Sequence, residues 1–294
     1  MSRSRQLHVF RHLWGIEPVA DTKTNLQLVK TLKGLGYSGV EASLSAIQEH
    51  GGGAFLDELK AHEMNLIVGI YSGWTDYVPS AWEAKSVSAH LKQFEDEVRQ
   101  AHALSLRPVM LNAHAGCDHW TERECREFFE AAERISHDIP IAHETHRGRA
   151  LWNPWRTLQL LEEFPSLKLT LDFSHWVLAA ERLLDTEWDH EWLQRVLPHV
   201  IHIHGRIGSE ESPQIIDPRD PQAKVEVERF DRLWADVWQA QAQAGLVVST
   251  LTPEYGPSPY TPMTPFTGKP LSDVWDVCNH ECKRQQARFQ QLFP

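Results

Sequence analysis

Cysteine is scarce in this sequence: four residues in 294, Cys117, Cys125, Cys278 and Cys282, with no paired C-x-x-C spacing. A disulfide framework and a cysteine-rich zinc module are both excluded by that count and spacing, and the four read as free thiols. Cys278 and Cys282 stand four apart on a predicted helix, where two thiols on one face read as packing rather than as ligands. Long hydrophobic runs are missing as well. Nothing approaches the roughly 18 apolar residues of a membrane span, and the start, Met-Ser-Arg-Ser-Arg-Gln, lacks the apolar segment of a secretory signal. Basic side chains are outnumbered 29 to 40, for a formal net charge of −11, and no basic stripe interrupts the balance. A long polyanion would meet net repulsion. The expectation is a soluble cytoplasmic protein with neither a nucleic-acid nor a membrane partner.

What is present is ordinary globular matter, 41% hydrophobic and 23% charged, enough for a substantial core. Its organisation is an alternation of short β-rich apolar runs with longer segments of helical period, repeated eight times. The predicted strands are Leu7 to Trp14, Ser38 to Ser43, Asn65 to Tyr71, Pro108 to Ala113, Ile139 to Glu144, Lys168 to Phe173, Val200 to His204 and Leu246 to Thr252. Between them, segments such as Ser88 to Leu104 place Leu91, Phe94, Val98 and Ala101 on one stripe opposite a charged face. A closing helix is predicted over Leu271 to Leu292. Eight strand-and-crossover units imply a parallel α/β barrel, a single (β/α)8 TIM barrel domain over residues 1–294. The doubly wound alternative often carries a Gly-rich GxGxxG turn after its first strand, and that turn is absent. Two stretches break the rhythm, Ser209 to Glu228 and the proline-rich Thr252 to Pro270; they read as long loops after strands seven and eight, on the face where barrels build active sites.

In such a barrel the C-terminal ends of the strands share one mouth, and here those ends are acidic and rich in imidazole. Strand five ends in His-Glu-Thr-His with Glu144, and strand six in Asp-Phe-Ser-His with Asp172 and His175. Strand seven gives His-Ile-His-Gly-Arg with His202, His204 and Arg206, and strand eight Thr-Pro-Glu with Glu254. Glu144, Asp172, His204 and Glu254 come from four consecutive strands, and three carboxylates gathered with one imidazole suit a hard divalent cation: Mn²⁺ first, with Mg²⁺, Co²⁺ or Zn²⁺ as alternatives.

These motifs resemble the xylose-isomerase-like barrel superfamily, which holds sugar isomerases, ketose epimerases, hydroxypyruvate isomerase, inosose dehydratase and zinc-dependent apurinic endonucleases. The likeness spans nearly the whole chain. It implies a metal held by Glu144, Asp172, His204 and Glu254, the two glutamates also serving as proton acceptor and donor, and His175 holding a substrate oxygen. It implies a small carbohydrate substrate, isomerised or epimerised through an enediolate; chains of the superfamily often pair, so a homodimer or higher oligomer is expected by analogy. One position departs: ketose epimerases carry an arginine six residues beyond the strand-seven histidine, where this chain has Glu210, and its arginine, Arg206, stands only two beyond. Arg206, with Gly208 and Gln214, is similar to sugar-phosphate isomerases of the superfamily and either grips a substrate carboxylate or phosphate or braces a ligating carboxylate.

His114, ending strand four, is expected at the mouth as a substrate-binding residue, with His202 a layer deeper. Trp14, Trp74, Trp120 and Trp176 follow strands and are candidates for an apolar wall against a sugar ring, Trp14 and Trp176 foremost among them. Glu41, near the end of strand two, reads as solvated or arginine-paired, with substrate binding as the alternative. Three other functions compete. A dehydratase of the inosose or dehydroshikimate type begins with the same proton abstraction. A multinuclear zinc endonuclease needs further ligands between strands seven and eight, yet no histidine occurs from Gly205 to Asn279. A non-catalytic sugar-binding barrel would have no use for an intact ligand set.

Overall fold

Short, nearly continuous apolar runs fit strands with both faces covered, and stripes at steps of three and four fit helices laid over the outside of a sheet. The computed structural model describes residues 4–16, 22–73, 85–135 and 138–294, and in it the strands close into a ring in chain order, each parallel to its neighbours. In order the elements are β1 (Gln6–His12), α1 (Thr22–Gly34), β2 (Gly39–Ser43), α2 (Leu44–Glu49), α3 (Gly53–Ala61), β3 (Asn65–Tyr71), α4 (Val87–His102), β4 (Met110–His114) and α5 (Glu122–Arg134). There follow β5 (Ile141–Glu144), α6 (Pro154–Glu163), β6 (Lys168–Leu171), α7 (Phe173–Ala180), α8 (Glu187–Val196), β7 (Val200–His204), α9 (Lys224–Gln243), β8 (Val248–Thr252) and α10 (Val274–Leu292). β1 pairs with β8 from Gln6 opposite Val248, which closes the ring.

Side-chain alternation divides the core in two. Val9, Val40, Leu66, Val68 and Leu111 face outward and join the large cluster under the helices, whereas Phe10, Ile67, Met110 and Ala142 form a small separate cluster inside the ring. The helices turn apolar stripes to the barrel: α4 buries Phe94, Val98 and Ala101, and α5 buries Cys125, Phe128, Phe129 and Ala132 behind a capping box made by Thr121 and Glu124. All four cysteines are buried and unbridged. No helix among the described residues is long and apolar enough to cross a membrane.

Two departures from the expected pattern bear on the mouth. Strand six stops at Leu171 instead of running to Phe173, because the Asp172 side chain accepts from the Ser174 N–H and starts a helix there. The loop expected over Ser209 to Glu228 gives way earlier, to a 3₁₀ turn at Pro221–Ala223 and to α9 from Lys224, proline being compatible with a first helical turn. The stretch after β8 is irregular apart from a single bridge between Met263 and Pro270.

Closure of the ring is tight at Gly39, where an added Cβ would stand 2.4 Å from the Asn65 carbonyl oxygen and 2.6 Å from Phe10 Cε1. Backbone in a closed ladder cannot yield there. Gly39→Ala is expected to cost about 1–3 kcal/mol, read as a lower urea midpoint at unchanged slope; an unchanged midpoint would show that the ring relaxes freely at this point.

Candidate active site and metal centre

Period-two alternation carries the inward set upward from the apolar floor, so that above Met110 come Asn112 and His114, above Ala142 comes Glu144, and above His202 comes His204. The result is a buried polar layer at the C-terminal ends of the strands. One ligating atom from each of Glu144, Asp172, His204 and Glu254 lies within 4.8 Å of every other. His204 Nδ1 stands 2.9 Å from Glu254 Oε2 and 3.5 Å from Glu144 Oε1. None of these three buried atoms forms a hydrogen bond among the described residues. With an oxygen of Asp172 they lie close enough together to share one ion.

Such orphaned atoms fit a cation. Donors about 2.1 Å from a six-coordinate ion stand about 3 to 4.2 Å apart, close to the 2.9 and 3.5 Å that separate His204 Nδ1 from Glu254 and Glu144. Glu144, Asp172, His204 and Glu254 could therefore hold one divalent ion with oxygen-rich ligation. The electrostatics point the same way. Burial raises the Glu144 carboxyl, but His114 and His204 hold it well below the usual range. Burial likewise opposes ionisation of Glu254, and Arg206 with His204 brings it down to about 2. Against its own burial, His204 is driven well above the ordinary imidazole range by Glu254, Glu41 and Glu144. Where a cation is lacking, an imidazolium is what the carboxylates demand.

Glu41 corrects the sequence reading, being neither solvated nor paired with an arginine. It is 1% exposed, accepts from His204 Nε2 at 2.9 Å and from Thr252 Oγ1 at 2.5 Å, and lies 3.4 Å from His202 Nε2. Burial raises its carboxyl, yet His204 and His202 hold it well below the carboxylate range. Its bond to Nε2 keeps the proton there and turns Nδ1 toward the carboxylates, the task of a carboxylate behind a metal-binding histidine. His202 sits a layer lower, with Nδ1 2.8 Å from Thr250 Oγ1 and Nε2 3.1 Å from Thr252 Oγ1.

Asp172 and His175 share the first turn of α7, so their side chains meet, with His175 Nε2 3.6 Å from Asp172 Oδ2. Thr145 grips Asp172 by the backbone, accepting from its N–H and donating to its carbonyl. Arg206 is 1% exposed and turned inward: Nη2 donates to Asp172 Oδ2 at 2.5 Å and to His175 Nε2 at 2.9 Å, and lies 3.3 Å from Glu254 Oε2. Of the two roles expected for Arg206, bracing a ligating carboxylate matches this geometry; direct grip on a substrate does not. Burial, with His146 and Arg206 beside it, pushes His175 well below the ordinary imidazole range. Its Nε2 accepts from Arg206, which leaves the proton on Nδ1, a buried atom without a hydrogen bond among the described residues.

Around this centre His114 stacks on Tyr71 at 4.8 Å and brings Nε2 to 2.9 Å from Glu144 Oε2. Asn112, not singled out in the sequence, donates from Nδ2 to the same oxygen at 2.8 Å; its place two residues before His114 on one strand was the available signal. His146, also missed, lies two residues past Glu144 with its ring 3.9 Å from that of His175, and burial takes it down to about 3. Tyr260, carried by the proline-rich loop, had no sequence cue. Trp14 meets it edge-on at 5.2 Å and fills the space over Gly256, where a Cβ would stand 2.0 Å from the indole.

Trp176 is a second correction. It is fully buried away from solvent, packs against Phe173 and Trp192, and donates Nε1–H to the Leu151 carbonyl at 3.0 Å, so it belongs to the core and not to a pocket wall. Trp120 is likewise core, against His90 and Phe128, and Trp74 lies outside the described residues.

No sequence-family profile and no curated protein sequence matches the chain. Among solved structures it is similar to the probable 3-DHS dehydratase AsbF involved in petrobactin synthesis from Bacillus anthracis, at 15% identity and a TM-score of 0.60, over 95% of this chain and 98% of that one. It is also similar to D-allulose 3-epimerase from Methylomonas sp., solved in complex with D-allulose, at 15% identity and a TM-score of 0.57, over 97% of this chain and 99% of that one. At these identities the likeness establishes the fold alone, a closed eight-stranded β/α barrel.

The Glu41 geometry makes a prediction of its own. Glu41→Gln is expected to lower Mn²⁺ affinity about 10- to 100-fold in calorimetry, with the circular dichroism spectrum preserved. Equal affinity in the variant would separate Glu41 from the centre.

Proposed function

We propose that this chain is a divalent-metal-dependent isomerase or epimerase of a small sugar or sugar phosphate, with the ion held by Glu144, Asp172, His204 and Glu254. The observation that carries the reading is the cluster of buried, orphaned atoms on Glu144, His204 and Glu254, within 4.8 Å of one another and of an Asp172 oxygen. When bound, Mn²⁺ or a similar ion supplies Lewis acidity to a carbonyl and its neighbouring hydroxyl, acidifying the C–H between them. The protein's own groups do the rest. Glu144 and Glu254, on strands three apart around the ring and both held ionised, flank the reacting carbon; one takes its proton and leaves an enediolate, and the other returns a proton. Delivery to the adjacent carbon gives an isomer, and delivery to the opposite face of the same carbon gives an epimer.

His175 keeps its proton on Nδ1 and donates it in a hydrogen bond to a substrate oxygen. Arg206 and Glu41 hold Asp172 and His204 in place from behind, while burial of the layer keeps competing water out. Structural likeness to a 3-DHS dehydratase as well as to an epimerase supports a second reading, a lyase that begins with the same abstraction and then expels a hydroxyl.

Mn²⁺-loaded protein is expected to exchange a single carbon-bound hydrogen for deuterium in D₂O across a panel of ketoses, ketose phosphates and cyclic hydroxyketones. Glu144→Gln and Glu254→Gln should each slow that exchange about 10²- to 10⁴-fold. A product lighter by one water transfers the chain to the lyases. Exchange that is untouched in both variants, or seen with no member of the panel, contradicts the proposal.

A further inference from the structure

Three arginines stand at or near the mouth, and two are committed. Arg206 is held by Asp172, Glu254 and His175. Arg149 is 1% exposed, lies 5.9 Å over the Tyr71 ring and donates to the Ser72 carbonyl. Arg147, three residues past Glu144 in the loop between β5 and α6, is different. It is half-buried, so it reaches solvent, and it forms no ion pair with any carboxylate among the described residues.

It is nonetheless fixed in place. Its guanidinium carbon sits 5.1 Å from the centroid of the Tyr260 ring, the same ring that Arg206 covers at 4.7 Å. Tyr260 is anchored by its N–H to the Pro257 carbonyl at 2.9 Å and by Trp14 edge-on. The Arg147 carbonyl accepts from His146 Nδ1 at 2.5 Å, which ties the loop to the imidazoles of the centre. A cation stacked on an anchored aromatic ring loses little freedom on gripping an anion, and a guanidinium matches the two oxygens of a carboxylate or phosphate.

We infer that Arg147 is an oxyanion subsite, and that the substrate carries a phosphate or carboxylate at the end remote from its reacting carbon. The inference rests on the sugar-site reading for what occupies the mouth, and its test separates the two. D-fructose, D-fructose 6-phosphate and D-fructuronate share a skeleton and end in a hydroxymethyl, a phosphate and a carboxylate. Calorimetry on Mn²⁺-loaded protein is expected to find one charged probe bound at least about tenfold tighter than fructose, and the tighter one identifies the oxyanion. Arg147→Met should abolish that preference, while Arg99→Met, which removes the same charge from the outer face of α4, keeps it.

Inorganic phosphate titrated alone is expected to bind weakly to the wild type and not to Arg147→Met. That result with no sugar bound at all would support the subsite and overturn the sugar reading. Equal affinity for the three probes, a preference that survives Arg147→Met, or no binding by any charged probe including phosphate overturns the subsite.

Discussion

Glu144, Asp172 and Glu254 put three carboxylates into a volume from which water is excluded, and the rest of the mouth is arranged around the cost of doing so. Like charges buried together raise one another's pKa unless cations stand among them. Burial, together with the Glu254 and Glu144 charges, does raise Asp172, even with Arg206 bonded to it. Arg206 and His204 meet part of the demand, and the orphaned atoms mark where they leave it unmet. In the proposed reading, a divalent ion at that point would complete the balance and leave His204 Nδ1 free to act as a ligand.

The barrel makes this concentration feasible because its ring converges side chains that are far apart in sequence. Glu41 reaches His204 across 163 positions and Thr252 across 211. The local devices are small: one residue of alternation separates the apolar floor from the polar layer, and one side-chain cap at Asp172 turns a strand into a helix so that His175 comes back over the carboxylate. Positioning thus falls to backbone-anchored elements, while the long loop after β8 contributes the Tyr260 ring at the rim.

The eight-unit rhythm and the quartet were both legible in the sequence, for related reasons. Strand and helix periods are local properties, and strand-end residues in a ring have only one mouth to share. What was illegible depended on partners. Nothing around Glu41 announces that its neighbours are two histidines on the seventh strand. His175 and Trp176 are adjacent, and only the helix at Phe173–Ala180 sends one to the centre and the other into the core. Arg206 could face either way until its distances to Asp172 and Glu254 were known. Proline near residue 221 reads as coil, whereas at a first turn it starts the 3₁₀ turn that leads into α9.

The most direct test of the central claim is a crystal of the Mn²⁺-soaked protein with anomalous scattering recorded at the manganese edge. The account predicts one strong peak about 2.0–2.3 Å from His204 Nδ1 and from carboxylate oxygens of Glu144, Asp172 and Glu254. A peak held by other residues, or none at this point at saturating Mn²⁺, would contradict it.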